Sequence, residues 1–145
     1  MSLNAVYLVL ALVAATTVAG VVWRRRQGTA GRVRRRAAVV VSPSDVSDGT
    51  VAFGSRATLL QFSTEFCASC PATRRMLGAV ASSSVGVTHV DVDLTHRPDL
   101  ANRYGILQTP TTFILDETGT VVSRIGGSAR RDVVQDQLES IVRVH

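Results

Sequence analysis

The chain of 145 residues contains two cysteines, Cys67 and Cys70, which stand three positions apart in the segment Phe62-Ser-Thr-Glu-Phe-Cys-Ala-Ser-Cys-Pro71. Two thiols at this spacing can close a disulfide within one turn of chain and open it again, which is the chemistry of thiol–disulfide exchange. The attacking species is a thiolate, and a thiol at a helix start meets unpaired backbone N–H groups that stabilise the anion. Such a position can lower a cysteine pKa from about 8.5 to roughly 3.5–7.5.

The residues on either side of the pair predict a strand that leads into a helix. Residues 57–62 form an apolar run of the length of a buried strand. Residues 72–81 carry Met76, Leu77 and Val80 at spacings that a helix would place on one side. The cysteines therefore fall where the strand gives way to the helix, beside the helix N-terminus.

A second feature lies further along the chain. Residues 105–115, Gly-Ile-Leu-Gln-Thr-Pro-Thr-Thr-Phe-Ile-Leu, place a Thr-Pro-Thr before an apolar strand, and the turn Glu117-Thr-Gly119 leads to another strand. A Val-Asp-Val-Asp segment at 90–93 and Tyr104-Gly-Ile precede the proline. Taken with the cysteine pair, this order of segments resembles the thioredoxin family over residues 37–144.

This resemblance implies a thioredoxin-like three-layer α/β fold, in which a central mixed sheet of four or five strands is flanked by helices. Local patterns agree, because residues 87–94 alternate like a strand and Pro98 and Gly105 suit the start and end of a helix. Ser128 is a candidate N-cap for an amphipathic closing helix. A β-branched run at 37–41 and a helix-start signal at Ser42-Pro43 precede the central strand, and residues 46–53 fit either a short helix or a loop.

The resemblance also assigns roles to residues. Cys67 would attack a substrate disulfide and Cys70 would resolve the mixed disulfide, with no cofactor other than the Cys67–Cys70 disulfide itself. Pro110 would be a cis-proline, and the backbone of Thr109 would hold an extended protein substrate beside the cysteines. Phe66, where the family often has Trp, would leave an apolar surface there for docking.

The chain departs from the family at several of these positions. Ala68 and Ser69 replace the Gly-Pro that is common between the cysteines of reducing thioredoxins, so a strongly reducing role does not carry over, and Pro71 removes a backbone donor after Cys70. Gln61 stands where many thioredoxins bury an Asp that moves the proton of the resolving thiol, and Gln cannot titrate. Glu65 and His89 are then the candidates for proton transfer.

Three other interpretations of the cysteine pair stay open. A zinc site would need companion ligands, and the three histidines do not provide them at a suitable spacing, so we expect no metal. A purely structural disulfide would close too short a loop to constrain the unfolded chain much. A redox-inactive binding module would use the groove beside Pro110 to hold a client or a membrane partner.

The charge of the chain is concentrated in one arm. All 16 basic residues are arginine, and seven of them lie between residues 24 and 36: Arg24, Arg25, Arg26, Arg32, Arg34, Arg35 and Arg36. From residue 37 onward there are 9 arginines and 11 acidic residues, which gives a net charge of −2. The sequence therefore argues against a nucleic-acid-binding face on the domain, because phosphate recognition needs clustered cations there.

Residues 3–23 are uncharged and predominantly apolar, which predicts a transmembrane helix. A secretory signal is the alternative, although the segment lacks a basic n-region and is long for one. We expect three segments: residues 1–23 as the membrane helix, 24–36 as an unordered linker that contacts anionic lipid, and 37–145 as the domain. Because the arginines follow the helix, the positive-inside rule predicts a single-pass protein with a cytoplasmic domain, and an extracytoplasmic domain is the alternative. The electron donor or acceptor is not indicated.

Overall fold

The structure, a computed structural model of the chain, describes residues 3–26, 30–32, 39–47 and 50–142. Predictions for Arg34, Arg35 and Arg36 and for residues 143–145 lie outside the described residues. Within them the helices are α1 Leu3–Arg26, α2 Pro43–Val46, α3 Cys70–Ser82, α4 Pro98–Arg103 and α5 Arg131–Val142. The strands are β1 Ala30–Arg32, β2 Ala57–Ser63, β3 Val87–Asp93, β4 Thr111–Asp116 and β5 Val121–Gly126.

The five strands form one mixed sheet in the order β1-β5-β4-β2-β3. β2 pairs in parallel with β3 and antiparallel with β4, and β5 pairs antiparallel with both β4 and β1. All seven residues of β2 are buried. A strand that is covered on both faces has apolar residues on both faces and no alternation of apolar and polar residues. For this reason the apolar run at 57–62 predicts β2. The predicted α/β fold with a mixed sheet of four or five strands is confirmed.

Helices cover both faces of the sheet because side chains alternate along each strand. On one face Leu60, Phe62 and Phe113 pack with Val46 of α2 and Leu100 of α4. The second core, on the opposite face, joins β2, β4 and β5 to α3 and α5 through Leu59, Ile114, Ile125, Leu77, Val80, Val134 and Leu138. Burial of a Leu or Val side chain stabilises a fold by about 1.5–3 kcal/mol, so this core holds α3 firmly against the sheet.

The arginine-rich arm contributes a strand that the sequence did not predict. Residues Ala30–Arg32 form β1, in which Ala30 pairs with Ile125 and Arg32 pairs with Ser123 of β5. The expectation that residues 24–36 hold no ordered element is therefore wrong for these three residues, and also for residues 24–26, which belong to α1. Pairing at a sheet edge uses backbone N–H and C=O groups, so it needs no apolar pattern that would reveal the strand in the sequence.

The short helix α2 begins where the sequence predicted it. The backbone N–H of Ser42 donates to the Asp45 carboxylate at 3.0 Å, and Pro43 occupies the first turn. Asp45 also forms an ion pair with Arg103 of α4 at 3.0 Å, which joins two helices on the same face of the sheet. Beyond Val46 the described residues before β2 are loop and not helix.

The helix α1 is longer than the predicted segment, because it extends through the first three arginines to Arg26. Its stretch Asn4–Trp23 has a mean hydropathy of 2.4 and is exposed along its whole length. The hydroxyls of Thr16 and Thr17 donate to carbonyls in the preceding turn, at 3.0 Å to Leu12 and 2.7 Å to Val13 respectively, so the helix itself satisfies these two hydroxyls. Among the described residues this is the single helix whose length and composition suit a membrane span, and a signal sequence has the same properties.

The segment before α2 lies against the turn between β4 and β5. Val40 forms a single bridge with Thr120, and the N–H of Val41 donates to the carbonyl of Gly119 at 2.9 Å. In the described part of residues 37–41, the structure has this single bridge in place of the predicted strand. Gly119 has a φ of +80°, and a Cβ at this position would lie 2.4 Å from the carbonyl oxygen of Val41. Glycine is thus required by the backbone conformation and by the close approach of Val41.

We expect Gly119→Ala to destabilise the domain more than Gly105→Ala does. Both glycines have positive φ, which costs an alanine about 1–2 kcal/mol. Only Gly119 has a backbone oxygen in the space of the new methyl group, since the nearest atom to a Cβ at Gly105 is 3.8 Å away. Thermal unfolding of the purified chain in detergent should give Gly119→Ala a lower Tm than Gly105→Ala. The difference should be roughly 4–8 °C for each kcal/mol of additional destabilisation. Equal Tm values for the two variants would contradict the contact.

Candidate active site

The two cysteines form a disulfide at the N-terminal end of α3. Their Cα atoms are 5.4 Å apart, a separation within the usual range for disulfides. Cys67 is partly exposed, whereas Cys70 is 2% exposed beneath the first turn of the helix. A substrate can therefore reach the sulfur of Cys67 more easily than that of Cys70.

α3 begins at Cys70, two residues earlier than predicted, so Cys67 lies in the turn before the helix. The N–H of Cys67 donates to the carbonyl of Thr64, and the N–H of Cys70 donates to the carbonyl of Cys67, both at 3.2 Å. Pro71 stands in the first turn, where its missing N–H removes no bond within the helix. The hydroxyl of Ser69 lies 3.9 Å from the sulfur of Cys67 and is a donor that can reach it.

The loop before β4 contains a cis peptide bond between Thr109 and Pro110, as the resemblance implied. Pro110 is buried, and its carbonyl accepts a hydrogen bond from the N–H of Gly127 at 2.8 Å. The hydroxyls of Thr109 and Thr64 are 3.2 Å apart, which joins this loop to the turn that holds Cys67. In the part of the chain that the structure describes, the backbone N–H and C=O of Thr109 have no hydrogen-bond partner.

A buried amide connects Cys70 to β3. Gln61 is 0% exposed, and its Nε2 donates to the carbonyl of Cys70 at 3.2 Å, while its Oε1 lies 3.3 Å from Nε2 of His89. A carbonyl can only accept a hydrogen bond, so the Gln61 amide has one orientation, and Nε2 of His89 must donate to it. The nitrogen that carries no proton in a neutral His89 is then Nδ1. This atom faces α3 at Gly78, because a Cβ placed on Gly78 would lie 3.9 Å from it.

The charges around His89 come from β3 and α3. Asp91 lies two residues along β3 and forms an ion pair with Arg74 of α3. Burial lowers the pKa of His89 below its ordinary value of 6.5, the carboxylate of Asp91 raises it, and the guanidinium of Arg74 lowers it. Burial has the largest effect, so the neutral imidazole is favoured in the folded protein.

The fold and the cysteine pair have a counterpart among known families. A model of the thioredoxin family matches residues 39–140, which is more than half of the chain. The chain belongs to the thioredoxin family. A thioredoxin domain with two cysteines at disulfide distance is a thiol–disulfide oxidoreductase, and this family acts on protein thiols and disulfides. No curated protein sequence matches the chain.

Solved thioredoxin structures share the fold. A point mutant of thioredoxin from Halobacterium salinarum aligns with a TM-score of 0.57 at 20% identity, over 70% of this chain and 87% of that one. Chloroplastic thioredoxin z aligns with a TM-score of 0.55 at 22% identity, over 61% and 80% of the two chains. The short form of spinach chloroplast thioredoxin f gives 0.53 at 23% identity, over 61% and 79%. At such identities the likeness concerns the fold alone.

The two remaining predicted site residues of this thioredoxin lie next to Cys67. Phe66 is 87% exposed, so its ring is available to a docking partner. Glu65 is also exposed, and its backbone N–H donates to the hydroxyl of Thr95 at 3.0 Å. Among the described residues, no hydrogen bond connects the Glu65 carboxylate to either cysteine. The structure thus links His89, and not Glu65, to Cys70 through hydrogen bonds.

Sequence reasoning missed two contacts at this thioredoxin site. The bond between Thr64 and Thr109 joins residues that are 45 positions apart, and threonines have no spacing that would reveal such a pair. The ion pair of Arg74 with Asp91 joins a helix to a strand, and only the register of β3 beneath α3 brings the two together. Within the described residues, no group of three or more His, Cys, Asp or Glu side chains is placed to hold a metal ion.

We expect the stability of the wild type to fall, relative to a His89→Gln variant, as the pH decreases through about 6.5. Because the pKa of His89 is lowered in the folded state, the unfolded chain binds this proton first, so acid favours unfolding. The glutamine of the variant cannot titrate and can still donate to Gln61. Denaturant unfolding between about pH 7.5 and about pH 5 measures the difference in the free energy of unfolding.

His96→Gln is the matched control for this experiment, because it removes an exposed histidine from the turn after β3. It should retain the loss of stability in acid that the burial of His89 produces. A constant difference between wild type and His89→Gln over the whole pH range would contradict the burial of His89.

Proposed function

We propose that this thioredoxin is tethered to a membrane and exchanges disulfides with protein substrates through Cys67 and Cys70. The observation that carries the proposal is the unequal exposure of the two cysteines, with Cys67 partly exposed and Cys70 buried at the start of α3. In thiol–disulfide exchange the accessible thiolate attacks first. The second thiol needs to reach only the first sulfur, so its burial is no obstacle.

In the reducing direction the thiolate of Cys67 attacks one sulfur of a substrate disulfide. That bond breaks, a mixed disulfide forms, and the released substrate thiolate takes up a proton. Cys70 loses its proton and attacks the sulfur of Cys67, which releases the second substrate thiolate and forms the Cys67–Cys70 disulfide. Two electrons pass from the cysteine pair to the substrate, and the same steps in reverse oxidise a dithiol.

The proton of Cys70 has to leave during the second step. His89 is our first candidate to influence that step, because Gln61 connects it to the carbonyl of Cys70 through two hydrogen bonds. Its Nδ1 faces α3, so we assign it an electrostatic effect on Cys70, with water taking the proton. Glu65, exposed beside Cys67, is the second candidate and would exchange protons with solvent.

Substrate binding is assigned to the groove between the cysteine turn and the loop before β4. The unpaired backbone N–H and C=O of Thr109 can bond to an extended segment of the substrate, as in strand addition. Pro110 is buried at the end of that loop, and the exposed Phe66, next to Cys67 in the chain, offers an apolar contact. Substrates with a disulfide in an extended, accessible segment fit this arrangement.

We expect Cys67→Ser to abolish disulfide exchange and Cys70→Ser to accumulate mixed disulfides with substrates, because only the resolving thiol would be missing. Insulin reduction measures the first effect, and non-reducing gels after acid quench measure the second. Reduction of insulin by Cys67→Ser at the wild-type rate would show that the attacking cysteine is wrongly assigned. Capture of clients by the double Cys67→Ser/Cys70→Ser variant, without exchange by the wild type, would favour a redox-inactive binding module.

The helix α1 is proposed as an uncleaved anchor. Asn4–Trp23 has a mean hydropathy of 2.4, and about 20 apolar residues are needed to cross a bilayer. Seven arginines follow this stretch within residues 24–36 and none precedes it, so the positive-inside rule favours a cytoplasmic domain. Arginines near an anionic surface add about 1 kcal/mol each to lipid binding. In this orientation a cytoplasmic reductase would supply electrons, whereas an outward domain would need a membrane electron carrier or an oxidant.

We expect the orientation to reverse when the charge asymmetry is reversed. The variant adds Arg beside Ser2 and changes six arginines to Gln: Arg24, Arg25, Arg26, Arg34, Arg35 and Arg36. In intact cells whose surface thiols are kept reduced, a membrane-impermeant thiol reagent should label the variant, whereas the wild type should react only after permeabilisation. Full labelling of the wild type in intact cells would place the domain outside. Loss of residues 1–23 from the mature protein would identify a signal sequence.

A further inference from the structure

The strand β3 stands at one edge of the sheet and has an open side. It pairs with β2 along its whole length, from Val87 to Asp93, with no shift of register. Among the residues that the structure describes, no strand pairs with its other side. The strand also contains no proline. A long, regular edge strand presents unpaired backbone groups, and these groups are a template for pairing with another chain.

The backbone groups that face the open side belong to alternate residues of β3. The N–H of Leu94, which directly follows the strand, donates to the carbonyl of Ser63 of β2 at 2.8 Å. Because neighbouring residues of a strand direct their backbone groups to opposite sides, the even-numbered residues of β3 also bond to β2. His89 and Asp91 therefore direct their N–H and C=O groups to the open side.

The segment that precedes α2 is held at the opposite edge of the sheet. There β1 pairs with β5, and Val40 bonds beside Thr120, just before β5. The open side of β3 is five strand spacings from β1, about 24 Å, and it is nearly as far from Val40. Arg32 and Val40 are eight residues apart, so the chain between them reaches at most about 29 Å and cannot go there and return. This part of the chain leaves the open side of β3 to a partner.

Both faces of β3 are already covered within the domain. Val90 and Val92 are buried in the core that contains α2 and α4. On the other face Asp91 forms its ion pair with Arg74 of α3, and His89 is half-buried. A partner can therefore reach β3 only along its edge, and the backbone groups of an edge are paired by an added strand.

The sequence of β3 is suited to pairing with itself. Two copies of one strand that are related by a twofold axis run antiparallel, and opposite residues then lie on the same face of the joined sheet. With the axis at Val90, His89 stands opposite Asp91 of the second copy, and Thr88 stands opposite Val92 of the second copy. No like charges are directly opposite in this register.

Moving the axis by one residue gives poorer pairs. An axis at Asp91 sets two carboxylates directly opposite each other, which destabilises a sheet. An axis at His89 sets two imidazoles opposite each other. In the register about Val90, by contrast, His89 and Asp91 of the two copies exchange both of their backbone hydrogen bonds, because the groups of both residues point to the open side.

We propose that β3 pairs antiparallel with β3 of a second copy of the chain, about an axis at Val90, so that two domains share one continuous sheet. The occupant is a second copy because the strand complements itself in direction, backbone pattern and charge. This inference goes beyond the proposed function and does not depend on disulfide exchange. The seam contains no residue of the turn that holds Cys67, which follows the end of β2.

Residue-resolved amide hydrogen exchange of the full chain in detergent micelles tests the pairing without any substitution. In the dimer the N–H groups of His89 and Asp91 are bonded, so they should exchange about tenfold more slowly, or slower still, than in the monomer. A roughly hundredfold dilution should restore fast exchange, because a dimer dissociates by mass action. The N–H groups of Val90 and Val92 are the internal control, since they bond to β2 and should stay protected at every concentration.

Cysteine cross-linking tests the register. In a Cys67→Ser/Cys70→Ser background, Val90→Cys places one thiol of each copy beside the axis. Opposite Cα atoms of such a pair lie about 4.5 Å apart, which a disulfide can span. Oxidation with copper phenanthroline should therefore link this variant into dimers.

The matched control for the cross-link is Thr88→Cys in the same background. Its two copies lie on opposite sides of the axis, roughly 13 Å apart along the strands, so the variant alone should not form linked dimers. A mixture of Thr88→Cys with Val92→Cys should form them, because these positions are opposite each other in the proposed register.

Fast exchange of the His89 and Asp91 amides at every protein concentration would overturn the proposal, and association through α1 alone gives this result. Equal cross-linking of Val90→Cys and Thr88→Cys would also overturn it, since random collision has no register. Cross-linking of Val90→Cys in membranes to a different protein, with no linked dimer, would refute the second copy as the occupant. Where a cysteine variant does not fold, hydrogen exchange of the wild type decides.

Discussion

The amide of Gln61 is buried in the middle of an apolar strand, and the free energy of leaving it unpaired would be about 1–3 kcal/mol or more. Its two hydrogen bonds, to the carbonyl of Cys70 and to the ring of His89, remove that penalty. They also determine where α3 begins over the sheet, because the bonded carbonyl belongs to the first residue of the helix. The buried cysteine and the histidine of β3 are consequently positioned by one side chain that cannot itself titrate.

The meeting of the cysteine turn and the cis-proline loop follows from the direction of the strands. β2 and β4 are antiparallel neighbours in which Phe62 pairs with Thr111. The last residues of β2 and the first residues of β4 therefore lie side by side, at the same end of the strands. Cys67 follows the end of β2, and Pro110 directly precedes β4. The parallel strand β3 ends at this end of the sheet too, since Ser63 pairs with Asp93. Residues far apart in sequence thus reach a common site through backbone pairing alone.

Much of the fold could be predicted because its central elements carry continuous or periodic apolar patterns. β2 was predicted from a short, mostly apolar run, and the cis bond at Pro110 was predicted from the family resemblance. β1 could not be predicted, since three residues of an arginine-rich arm pair through their backbone and leave no apolar signature. The contact of Thr64 with Thr109 and the ion pair of Arg74 with Asp91 depend on distances between elements, which one sequence does not encode in any spacing.

The pairing of β1 with β5 also limits how far the catalytic domain can move from the helix α1. Only residues 27–29 separate Arg26 from Ala30, so these two Cα atoms can be at most about 14 Å apart, whatever conformation the segment takes. Ala30, Ile125, Thr112 and Gln61 form one row across the sheet, in which three strand spacings amount to about 14 Å. The short connection therefore joins the sheet at the row that underlies the disulfide. In a membrane-bound chain Gln61 would then lie at most about 28 Å from Arg26, so the disulfide beside it would act on substrates near the membrane surface.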